Sequence, residues 1–125
     1  MQVIAMFLAL VVMSGLSLYP PPNHPPIAYD DEVYLLYHPV AVVEIPVLEN
    51  DVDPEGQPLR VTGLGLVEGG KAEILGGKVV RVVLDWPAAG GYGHSLIAHG
   101  TYLVSDGVGA DKAEWFVWCW PEVLP

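Results

Sequence analysis

The chain has 125 residues, enough for one domain with a modest core. Fifteen acidic side chains against five basic ones give a formal charge of −10, which repels phosphate backbones and anionic headgroups and so excludes nucleic-acid binding and polybasic membrane docking. The single cysteine, Cys119, excludes an intrachain disulfide and a cysteine-based zinc site within one chain, while 52 % apolar residues and a mean hydropathy of +0.40 are high for a free soluble domain.

Val3 to Tyr19 carries no charge and is almost wholly apolar. As an α-helix it spans roughly 25 Å, slightly short of a bilayer core of about 30 Å. Three readings are open for residues 1–19: an uncleaved membrane anchor, a signal peptide cut near Gly15 or Ser17, or an apolar arm packed into an assembly. The first two place the rest of the chain on the extracytoplasmic side, either membrane-anchored, or secreted or at the cell surface. Residues 20–26 hold five prolines in seven positions, the composition of an extended polyproline II stalk.

Residues 27–125 form the expected head. Runs rich in Val, Ile, Thr and Tyr predict strands over 32–37, 40–47, 59–66, 71–75, 79–84, 101–104 and 113–120. Turn signals separate them, among them Asp53-Pro-Glu-Gly, Glu68-Gly-Gly and Ser105-Asp-Gly-Val-Gly. Seven short strands without helical period predict an all-β, seven-stranded antiparallel sandwich, preceded by the apolar N-terminal helix.

The loop from Leu48 to Leu59 puts Asp51, Asp53 and Glu55 on alternate positions around Pro54 and Gly56. Such carboxylates can converge on Ca²⁺, which takes six to eight oxygens in flexible geometry, with Asp31 and Asp106 as cross-strand ligands. The same residues also make an ordinary type I turn, with Asp at its start and Gly at its close. The last strand is apolar on both faces after Glu114: Ala113, Trp115, Val117 and Cys119 on one, Phe116, Trp118 and Trp120 on the other. A loop of the same domain, a lipid surface or another subunit must cover the second face, and we read Phe116, Trp118 and Trp120 as a subunit interface. His94 and His99 flank Ser95 in a glycine-rich stretch without a neighbouring acid in sequence, so they read as loop histidines. Trp86 reads as a strand-ending core residue. Nothing in the chain argues for catalysis.

Three blocks, Asn23-His-Pro-Pro-Ile-Ala-Tyr-Asp-Asp, Ile45-Pro-Val-Leu-Glu-Asn-Asp-Val-Asp-Pro-Glu-Gly-Gln-Pro-Leu-Arg-Val-Thr-Gly and Gly100-Thr-Tyr-Leu-Val-Ser-Asp-Gly-Val-Gly, resemble the cadherin-like, immunoglobulin-like repeats of large bacterial surface proteins. The resemblance covers most of the head, with the blocks in the family's order. It implies a calcium-associated immunoglobulin-like sandwich used in adhesion or as a spacer. Gln57 stands where the family has another acid, the repeat is single, and the last strand is aromatic instead of alternating Thr and Val. The expectation is a non-catalytic structural subunit docked to protein subunits of a larger envelope or membrane complex, with the membrane reached through residues 3–19. The alternatives are a secreted calcium-dependent adhesion module and a virion or appendage surface protein.

Overall fold

The computed structural model describes residues 21–36, 41–85 and 95–120. The strands are β1 (Asp31–Leu36), β2 (Val42–Ile45), β3 (Arg60–Glu68), β4 (Gly70–Leu75), β5 (Val79–Leu84), β6 (Ser95–Ser105) and β7 (Ala110–Trp120). They form two sheets, ordered β1-β7-β6-β3 and β2-β5-β4, whose inner faces enclose the core. The expected helix over residues 3–19, Trp86, His94 and the side chain of Trp120 lie outside the described residues. Among the described residues, no helix is long and apolar enough to cross a membrane.

Period 2 explains the core. Val80, Val82 and Leu84 of β5 point inward against Val43 and Ile45 of β2, Tyr102 and Val104 of β6, and Ala113, Trp115 and Val117 of β7. Cys119 continues that inner row as a buried free thiol. Glycines shape two places. Gly69, at φ 83°, turns the chain from one sheet into the other, and a Cβ there would stand 2.0 Å from the Ile97 carbonyl oxygen. Gly100 lies under the Trp115 ring, where a Cβ would stand 2.5 Å from Cζ2.

Two expectations are corrected. The sandwich is not wholly antiparallel: β1 runs parallel to β7, pairing Asp31 with Trp115 through to Leu36 with Trp120. First and last strands meet without a hairpin between them, so no tight turn dictates their relative direction. The sixth strand is far longer than 101–104, because Gly100 is a packing residue of the strand and not a break in it. Ser95 and His99 therefore belong to β6, not to a loop.

The segment before β1 is fastened to the head. Ile27 and Val52 exchange backbone hydrogen bonds of 2.7 and 3.0 Å. Asp111 Oδ2 accepts from Ala28 N, Asp51 Oδ1 from Tyr29 N, and Asp30 Oδ1 from Glu114 N, each at 2.9 Å.

Candidate functional sites

Asp53, Glu55 and Asp106 converge: one carboxylate oxygen from each lies within 4.8 Å of the others. Two oxygens on opposite sides of a Ca²⁺ ion stand at most about 5 Å apart, twice the usual bond length, so the three fit one ion. Asp53 is only 9 % exposed. Its Oδ1 accepts from Glu55 N and Gln57 N at 2.9 and 3.0 Å, which is the turn chemistry of Asp-Pro-Glu-Gly. Its buried Oδ2 has no hydrogen-bond partner. A buried carboxylate oxygen is costly unless something positive meets it, so the donor set suits a hard cation. Asp106 is held ionised, its carboxyl lowered to about 2 by hydrogen bonds from Asn23, Gly109 and Val108. Glu55 accepts from His24 N at 3.0 Å and faces His24 Nδ1 at 2.7 Å.

Asp31 and Asp51 do not join that cluster. They meet the hydroxyl of Tyr102, a core residue of β6, at 2.7 Å from Asp31 Oδ2 and 3.0 Å from Asp51 Oδ2. The carbonyls of Tyr29 and Val47 lie 3.0 and 3.2 Å from the same oxygen. One phenolic proton thus faces four acceptor groups. Burial, reinforced by the charges of Asp51 and Asp30 and opposed by the Tyr102 hydrogen bond, raises the Asp31 carboxyl to about 7. Burial also raises Asp51, with the charge of Asp111 adding to it. A protonated Asp31 supplies a second donor to a centre that otherwise has one. This hub escaped the sequence reading; its signal was an inward-facing tyrosine whose hydroxyl needs a partner in an acid-rich domain.

The outer face of the four-stranded sheet carries one apolar row beside more polar ones. Tyr34 of β1, Trp118 of β7 and Leu96 of β6 stand opposite one another in register. The next row runs Glu32, Phe116, His99, Glu68. Phe116 and Trp118 are half-buried, whereas Tyr34 is 54 % exposed, Leu36 67 % and Leu66 55 %. Phe116 stacks on His99 at 6.4 Å with 18° between the rings. His99 Nε2 meets Glu68 Oε2 at 2.9 Å, so an acid does lie beside this histidine, contributed by β3. Ser95 sits four residues away along the same strand, roughly 13 Å at the usual rise, out of reach of that base.

A family model described as bacterial Ig domain matches residues 23–116. Among solved structures, the endo-fucoidan hydrolase MfFcnA9 from glycoside hydrolase family 107 is similar over 78 % of this chain, at 16 % identity and a TM-score of 0.46. The match spans only 16 % of that hydrolase chain, and it carries no argument about activity. No curated protein matches the chain.

Proposed function

The chain belongs to the bacterial Ig domain family, and from that premise we propose that it is a non-catalytic structural subunit whose head docks onto a larger envelope or membrane complex. The observation that carries this reading is the outer face of the β1-β7-β6-β3 sheet. Tyr34, Leu36 and Leu96 are exposed around Trp118, with Phe116 in the next row, an apolar patch that solvated monomers rarely leave uncovered. Aromatic residues at the centre of such a face supply large contact area at low entropic cost. Residues 3–19 serve as the anchor, with the head on the extracytoplasmic side; the expected stalk over residues 20–26 is cut short, because Asn23 and His24 are already hydrogen-bonded to Asp106 and Glu55 of the head. Trp118→Glu is expected to release the head from its native complex while its melting temperature stays within a few degrees of wild type. Size-exclusion chromatography of the envelope extract checks this, and a variant that fails to fold shows that the ring belongs to the core.

A second reading, calcium-dependent adhesion by a secreted or surface head, draws on the partnerless, buried Asp53 Oδ2 inside the Asp53, Glu55 and Asp106 cluster. Bound Ca²⁺ at one hundred times its Kd stabilises by about 2.7 kcal/mol. Addition of chelator is then expected to lower the melting temperature by several degrees. Asp53→Asn, which keeps the Oδ1 acceptor of the turn, is expected to abolish that response. Identical melting curves with Ca²⁺ and with chelator remove the cation from the account.

A further inference from the structure

Two oxygens of one turn, Asp53 Oδ2 and Gln57 Oε1, are buried without a hydrogen-bond partner among the described residues. The two residues are tied together. Gln57 N donates to Asp53 Oδ1 at 3.0 Å, and Gly56 N donates to Asp53 O at 3.0 Å. Gly56, at φ 72°, takes the left-handed conformation that folds Gln57 back over Asp53. Of the two ends of the Gln57 amide, only the oxygen is buried in this way. A carboxylate oxygen and an amide oxygen are both acceptors, so neither can satisfy the other. A cation that touches both satisfies both, which no rearrangement of two acceptors achieves.

We infer that Gln57 is a neutral fourth ligand of the cation cluster, and that it sets the affinity of that cluster for Ca²⁺ low. The inference rests on the calcium reading above, and adds to it a residue and an affinity range. Ca²⁺ takes amide and carbonyl oxygens beside carboxylates, and its affinity follows the charge count of the ligands. Asp53, Glu55 and Asp106 bring three carboxylates, and Gln57 brings an oxygen without a fourth charge. Two of the three acids also hold donors that an ion must displace or share. Glu55 meets His24 N at 3.0 Å and His24 Nδ1 at 2.7 Å, and Asp106 Oδ2 accepts from Asn23 Nδ2 at 2.8 Å. Asp53 Oδ2 and Gln57 Oε1 carry no such competitor. Three charges and competing donors place the Kd at about 10⁻⁴–10⁻³ M, the range of extracellular calcium modules. At that affinity the site fills in extracytoplasmic calcium and stays empty at micromolar levels, so its loading follows the compartment.

Calorimetric titration of CaCl₂ into the metal-stripped full chain in mild detergent tests this. The wild type is expected to bind with a Kd of about 10⁻⁴–10⁻³ M. Gln57→Met keeps the length of the side chain and removes the oxygen. It is expected to weaken binding roughly fivefold or more, with the melting temperature in chelator within a few degrees of wild type. Gln57→Glu keeps the oxygen and adds the missing charge, and is expected to tighten binding roughly tenfold or more. Val108→Glu adds the same charge beside Asp106 on a side chain that is 75 % exposed, and is expected to change the affinity less than about threefold.

An amide turned to offer its NH₂ to Asp53 Oδ2 would instead make Gln57 a support of the empty turn. Gln57→Met would then lower the melting temperature in chelator and leave the Ca²⁺ affinity of the folded head unchanged, which overturns the inference and spares the calcium reading. Equal tightening by Gln57→Glu and Val108→Glu overturns it as well, and that comparison decides alone if Gln57→Met does not fold. A wild-type Kd below about 10⁻⁵ M contradicts the low affinity. Absence of Ca²⁺ binding in the wild type and in Gln57→Glu alike removes the calcium reading and the inference together.

Discussion

Trp115→Ala is expected to cost about 3–5 kcal/mol, a third or more of the usual stability of a domain of about 5–15 kcal/mol. The Trp115 side chain is 0 % exposed and fills the space that Gly100 leaves open on the neighbouring strand. Its removal opens a cavity that the small neighbours of β6 cannot close by moving side chains they do not have. Trp118 stands three residues further along β7 on the opposite face, and there the same substitution is expected to cost less than about 1 kcal/mol. Urea unfolding of the two variants measures the difference directly. Equal losses would mean that the outer face is as much a core as the inner one, and the docking proposal would lose its surface.

The second large effect is electrostatic. Tyr102→Phe is expected to destabilise the head by about 1.5–3 kcal/mol, because it strips a hydrogen bond from half-buried carboxyl groups and leaves their acceptors facing carbonyls. The same centre makes stability depend on pH. Asp31 has an ordinary carboxyl value of 3.8 when unfolded and about 7 when folded. Its stabilising contribution is therefore complete below about pH 4 and is lost as pH rises through 7. Asp51 is shifted in the same direction. Asp106 is shifted the other way, so its contribution holds above pH 4 and fades only toward pH 2. Between pH 5 and pH 8 the Asp31 and Asp51 effects act alone among these three. After allowance for partial solvent screening, stability is expected to fall by about 1–2 kcal/mol over that interval. Asp31→Asn is expected to flatten most of the slope. A melting temperature that instead rises from pH 5 to pH 8 would show that Asp31 is ionised in the folded head.

Much of the sandwich was legible because period 2 is strong where it matters. Val79-Val-Arg-Val-Val-Leu alternates about Arg81 in the pattern a two-sheet core requires, and β5 spans those residues. Gly100 concealed β6, since a glycine chosen to accommodate an indole looks identical to one chosen to end a strand. The direction of β1 was hidden too, because its partner β7 lies at the far end of the chain. The acids divided for a local reason. Asp51 and Asp53 alternate in sequence, but Asp51 closes one turn, its N bonding back to Leu48 O, and Asp53 opens the next, its O accepting from Gly56 N, so each acid belongs to a different turn. One carboxylate is sent to Tyr29 and Tyr102, the other to the cluster with Asp106.

The proposal of a docked structural subunit is tested most directly by the intact mass and native size of the protein taken from its own envelope fraction in mild detergent. The account predicts the full chain of 13.5 kDa, residues 1–19 included, migrating within an assembly several times larger. A soluble monomer lacking those residues would contradict it.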